Sequence, residues 1–491
     1  VAVGYDAGLN ATTGVQNVVM GGKAGDSLTT GSYNVAIGYE ALATEDAHGK
    51  NVAIGWLALS DQNAGADAFN IGIGYNAGKA MTTGVKNTLI GGLAGDSITT
   101  GIENIAIGFE ALSTNIDGAS NVAIGVGALK DFEADTDGHG SNVAIGNLAM
   151  HECTTGTVNT AVGARAMGNG ITTGDFNVAI GYLALEDVTS GNYNVALGSQ
   201  AMLQVTSGQQ NVAIGYNALA SSVDGDFNTA IGYLALEDYE DGDGNGHNTA
   251  VGNSSQLNAT TGEFNTSLGS LSMGVGVVTG DANVAIGYRA GEDITSATTT
   301  TLVGTFAGLN LTSGANNTAI GYAALKTENA HGSNTAIGTQ TLNLLDAGTD
   351  GLNTAVGHQA GLRMTSGVQN VVIGSLAGDA LTTGSYNVAV GHNALGLEDA
   401  HGKNTAIGWG ALDTLNAGAN GNNVALGYNS GTAMTTGVQN TCIGTEAGDA
   451  LTTGDNNIII GFSSAASAVG TDNETVVGTT ATTSALVHGL K

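Results

Sequence analysis

Proline is absent from all 491 residues of the sequence. Without proline, and without a Gly-X-Y period, its 80 glycines do not make a collagen triple helix. Cysteine is almost absent. Cys153 and Cys442 stand alone and far apart, so a disulfide framework is not the stabilising device. Basic residues are scarce: 11 lysines and arginines face 42 aspartates and glutamates, for a formal net charge of −31. Such a surface repels phosphate backbones and anionic lipid, so nucleic acid is not an expected partner. No apolar run approaches the roughly 20 residues of a membrane-spanning helix, and membrane insertion is not expected. Disorder is not expected either, because 42% of residues are hydrophobic and only 11% are charged.

What fills the chain is repetition. Asn34-Val35-Ala36-Ile37-Gly38 returns as Asn51-Val52-Ala53-Ile54-Gly55. With the closing glycine as a marker, 28 units run from Gly4 to Gly478, and twenty of the 27 spacings are 17 residues. The other seven spacings are 18 to 21 residues. An aliphatic residue precedes every marker, and a β-branched residue lies two positions before that, a pattern that favours a strand. A unit of this length is too short for a βαβ crossover, which needs about 30 residues. It fits one coil of a parallel β-solenoid, in which equivalent residues stack into ladders. The expected fold is therefore all-β, a parallel β-solenoid or β-roll of about 28 coils. Each coil reads as strand, turn, short second strand ("YEAL") and turn. Stacked strands about 4.8 Å apart would make a rod of roughly 130 Å.

Two ladders follow. Asparagines at the strand entrance, such as Asn34, Asn51 and Asn211, are placed to hydrogen-bond their images one coil away. Glycines at the strand exit, such as Gly38, Gly55 and Gly215, permit the bend. A slower rhythm lies above the coil. Ala7-Gly8, Ala24-Gly25, Ala41-Leu42 and Ala58-Leu59 open a superperiod of 70 residues, and "EDAHGK" recurs at 45–50 and 398–403. The expected segments are 1–141 and 276–462, both with superrepeats, and a central 142–275 of altered phase. Residues 463–491 are expected to be a terminal coil and cap or junction. The chain begins inside a repeat that lacks its asparagine, so a longer gene product is expected.

The strand is apolar on both faces, alanine on one and Val/Ile on the other, whereas a half-buried strand alternates apolar with polar. One face can fill the coil. The other forms a long stripe of alanine or of Val/Ile, and stripes of that size mark interfaces. Small alanines would let two β-surfaces approach closely. The expectation is a parallel homotrimer, each chain burying one face on a shared axis; a thin solenoid exposing alanine is the alternative.

The unit resembles the head repeats of trimeric autotransporter adhesins, and more closely the "NTAIGY-x-AL" arrays of bacteriophage tail fibres. Thr229-Ala230-Ile231-Gly232-Tyr233-Leu234-Ala235-Leu236 carries the fibre version. The 17-residue coil is longer than the usual autotransporter head unit, which favours the fibre group. The resemblance covers the whole chain and implies a non-enzymatic trimeric shaft, a rigid spacer and display surface for attachment. It implies an extracellular place, on a virion tail fibre or a bacterial cell surface, and a host cell-surface glycan or protein as partner. Many fibres of this group end in a self-cleaving chaperone, so removal of such a segment is expected too. The alternatives are a bacterial trimeric adhesin or extracellular filament and, more remotely, an ice-binding solenoid with threonine ladders.

Little suggests chemistry. An array presents like groups in lines, whereas catalysis needs unlike groups that converge, so no catalytic residue and no cofactor are expected. "GGKAG" at 21–25 lacks the Walker spacing. Two acidic insertions, 131–140 and 237–247, contain Asp135, Asp137, Asp241 and Asp243. These are weak calcium candidates, because alanine stands where a bidentate glutamate is needed. The main reading is a solvated acidic bulge. His48, His139, His331 and His401 each lie three residues before a strand asparagine and read as loop histidines; no H-x-H spacing points to a metal. Tyr39, Tyr216, Tyr288, Trp56 and Trp409 follow marker glycines. They read as turn-packing residues, with sugar stacking as the alternative.

Overall fold

A computed structural model describes residues 1–133, 138–240 and 245–479. Its elements are short parallel strands, and no helix occurs among the described residues. The chain divides into two compact units, Val1–Asn248 and Thr249–Lys491. The boundary falls inside the segment 142–275. Each unit is a β-solenoid with one strand per coil. Among the described residues the first holds fourteen strands, from β1 (Ala2–Val3) to β14 (Thr229–Ile231). The second holds fourteen more, from β15 (Thr249–Val251) to β28 (Thr475–Val477).

Register follows the markers. In the first unit β3 (Val35–Ile37) pairs in parallel with β4 (Val52–Ile54), Val35 opposite Val52 and Ala36 opposite Ala53. In the second, β23 (Val388–Val390) pairs with β24 (Thr405–Ile407), Ala389 opposite Ala406. The Val35 amide donates to the Asn51 carbonyl at 2.9 Å, and the Gly55 amide to the Ile37 carbonyl at 2.7 Å. Longer coils keep the same register: Ile124 still faces Ile145, and Val162 still faces Ile180. Strand pairing therefore survives the extra residues, although Asn51 and Asn404 Nδ2, each next to a longer coil, find no partner.

Alanine points inward. Ala36, Ala53 and Ala213 are fully buried, while the flanking Val35, Ile37, Val52 and Ile54 are half-buried. Of the two orientations left open by the sequence, the described residues therefore take the one that turns Val/Ile outward. The small side chain lets the two walls of one coil close on each other, rather than letting two chains approach.

Among the described residues the expected second strand is absent. "YEAL" forms turns in which Glu40 (φ 51°) and Leu42 (φ 52°) are left-handed. The reason is packing. Ala41 and Leu42 are consecutive and both fully buried, and an extended strand would send one of them outward. The left-handed turn at Leu42 brings both inside, and interior burial offsets a conformation that leucine rarely adopts.

The 70-residue rhythm is volume compensation inside the coil. Where leucine is replaced by glycine, a larger residue further on fills the space: Leu28 after Gly25, Met81 after Gly78, Met364 after Gly361. A Cβ on Gly25 would lie 2.7 Å from Leu28 Cδ1, and one on Gly78 would lie 2.6 Å from Leu89 Cδ1. Close-packed interiors require such matched volumes.

Candidate functional site

The asparagine ladder runs from side chain to backbone. Asn34 Oδ1 accepts the Asn51 amide at 3.0 Å, and Asn51 Oδ1 accepts the Asn70 amide at 3.1 Å. Asn211 Oδ1 accepts the Asn228 amide at 2.8 Å, while Asn211 Nδ2 donates to the Gly225 carbonyl at 2.6 Å. Each Oδ1 thus satisfies the strand entrance of the next coil, and Asn211 ties down a turn carbonyl as well. All three of these asparagines are fully buried. Thr300 holds its place by donating both its amide and its hydroxyl to Asn283 Oδ1, at 3.1 and 2.9 Å. The marker glycines do more than bend. Gly38, Gly55 and Gly215 have φ of 137°, 138° and 140°. A Cβ on any of them would run into the carbonyl oxygen of the next marker, Gly55, Gly74 or Gly232.

Outside the coil lies a largely aliphatic face, with threonine at the first strand position of many coils. The first and third residue of each strand point outward, and many are more than a third exposed, including Ile145, Ile180, Leu197, Ile337 and Leu426. Aromatic residues flank this face on both sides. After the marker glycine come Trp56, Tyr182, Tyr216 and Trp409, all between 44% and 55% exposed. Before the asparagine come Tyr33, Phe69, Phe176 and Tyr193, also about half exposed. The aromatics after the marker do not pack into turns as expected. They stack on each other along the coils: Tyr39 on Trp56 with centroids 4.5 Å apart, and Tyr216 on Tyr233 at 5.5 Å. The second row, with Phe176 on Tyr193 at 5.1 Å, was missed because its aromatic positions alternate with Lys50, Lys86 and Gln210.

The first threonine of these turns is tied into the ladder. Thr29 Oγ1 donates to the Asp46 carbonyl at 2.9 Å, and Thr206 Oγ1 to the Val223 carbonyl at 3.2 Å. Cys153 and Cys442 are buried free thiols, and burial pushes both up to about 12, which leaves them protonated and inert. Asp135, Asp137, Asp241 and Asp243 lie outside the described residues.

Three of the four loop histidines share a setting that the sequence reading overlooked. His48, His331 and His401 each follow a glutamate by three positions, Glu45, Glu328 and Glu398. All three glutamates are fully buried. Burial pushes their carboxyls above the usual range, opposed by hydrogen bonds from backbone amides. The signal was present as Glu-x-x-His-Gly, and was hidden because a glutamate in so acidic a chain looks solvated. His139 has Thr136 at that place.

No protein-family model matches the chain, and no curated protein matches it. The functional reading rests on the repeat and on the faces it builds.

Proposed function

We propose that this chain is a structural fibre shaft, three parallel in-register copies joined through their outward Val/Ile faces, serving a phage tail fibre of the kind its repeat resembles. The observation that carries this reading is the outward strand face, partly exposed in coil after coil, with an apolar third residue throughout and Val, Ile or Thr at the first. Such a face gains by burial against a like surface, and a set of strands with one register offers it to copies of itself. The aromatic rows border it and would seal its edges against water. In this reading the shaft is an extracellular rigid spacer and display surface that turns over no substrate. Recognition of a host cell-surface glycan or protein falls to the insertions 131–140 and 237–247, or to a separate tip.

Charge placed on the outward face is the test. Ile180→Lys, Ile214→Lys and Ile231→Lys together put three cations on the face without touching the interior. The expected result is a monomer by size-exclusion chromatography that keeps the strand signature in circular dichroism. A triple variant with unchanged oligomeric state would overturn the proposed interface.

A further inference from the structure

The three Glu-x-x-His loops hold one arrangement in three places. His48 Nδ1 lies 3.7 Å from Glu45 Oε1, His331 Nδ1 lies 3.6 Å from Glu328 Oε1, and His401 Nδ1 lies 3.4 Å from Glu398 Oε1. Each Nδ1 is buried and has no hydrogen-bond partner. These separations are too long for hydrogen bonds. They match the spacing of two ligands on one tetrahedral ion, about 3.4 Å when each is about 2.1 Å from the metal. A third ligand atom completes each set within 4.8 Å: a carboxylate oxygen of Asp46, Asp346 or Asp399.

The third ligand comes from either of two neighbouring coils. Asp46 and Asp399 belong to the same coil as their histidine, and the matching position one coil on is Asn63 or Asn416. At the second site the two types are exchanged: Asn329 stands in the histidine's coil and Asp346 one coil on. Each site thus has one carboxylate at this pair of positions, whichever coil supplies it.

The glutamate is fixed in advance. Glu45 Oε1 accepts the His48 amide at 3.0 Å, and Oε2 faces the Ala64 amide of the next coil at 3.5 Å. Glu328 and Glu398 hold the same pair of amides, with Ala347 and Ala417 at 3.4 and 3.3 Å. Each of these next coils has 19 residues rather than 17. The buried glutamate thus sits where the coil length changes.

We propose that these loops are three divalent-cation sites of the zinc type, each ligated by an imidazole Nδ1, a buried glutamate and an aspartate, with water in the remaining position. One nitrogen and two carboxylate oxygens suit zinc or a similar borderline ion better than calcium, which takes six to eight oxygens. At the second site, where Asp346 comes from the longer coil that follows, the ion clips two coils together; at the other two it closes the loop of a single coil.

The test is calorimetric titration of the full chain with zinc, beside a His48→Ala/His331→Ala/His401→Ala variant. Wild type is expected to bind three more ions per chain than the triple variant, and each single His→Ala change to remove one. Cobalt in place of zinc should give d–d absorption that the triple variant lacks. Zinc should raise the unfolding midpoint of wild type only. The histidines are about 30% exposed, so the variant is expected to fold, as circular dichroism would verify. Equal stoichiometry in wild type and triple variant would assign the binding to scattered surface carboxylates and overturn the proposal. No saturable binding to wild type would leave a simple histidine–carboxylate contact and overturn it equally.

Discussion

A single asparagine in this repeat serves two coils, which makes it costly to lose. Replacing Asn211 by alanine leaves the Gly225 carbonyl and the Asn228 amide without their side-chain partner. Each orphaned buried group costs about 1–3 kcal/mol. The expected outcome is a clear drop in the urea midpoint, and an unchanged midpoint would mean that the ladder contributes nothing. Glycines divide into two kinds by what their missing side chain would meet. Gly215→Ala drives a Cβ into the Gly232 carbonyl at a φ of 140°, so the loss should exceed the about 1–3 kcal/mol of backbone strain alone. Gly65 has φ of 68° and nothing within 4 Å of its Cβ position, so Gly65→Ala should cost only about 1–2 kcal/mol. Equal losses for the two variants, measured by denaturant unfolding, would contradict the steric account.

At the scale of the coil, stability comes from matched volumes across a very narrow interior. Met81 fills the space beside Gly78 and is fully buried. Met81→Ala should cost about 2–5 kcal/mol, because so thin a core has little left to collapse into the gap. Met434 beside Gly431 is the equivalent in the second unit, and the same change there should cost a similar amount by the same unfolding measurement. Strand positions and their register are legible in the sequence, because a marker glycine that tolerates no side chain must recur in every coil. Coil lengths above 17 do not blur them, since strand register is kept across the longer coils. The "YEAL" segment is not legible as a turn, because leucine at positive φ is rare and only the joint burial of Ala41 and Leu42 requires it. Which face points inward is also hidden: alanine and Val/Ile are both apolar, and only the narrowness of the coil selects alanine. The histidine loops were visible as a recurring string, but the burial of Glu45, Glu328 and Glu398 depends on the amides of the following coil, which no local pattern announces.

At the scale of the molecule, two features pull in opposite directions. A net charge of −31 opposes association through long-range repulsion. The outward strand face favours association, and its apolar width is multiplied along the repeats. Contact burial is short-ranged and is not screened by salt, whereas repulsion between exposed carboxylates is screened within about 8 Å at physiological ionic strength. The apolar face is therefore expected to prevail, with the acidic residues keeping assembled fibres apart. Sedimentation equilibrium of the purified chain at micromolar concentration tests this most directly. The account predicts a single species of three times the 48.4 kDa chain mass; a stable, soluble monomer would contradict it.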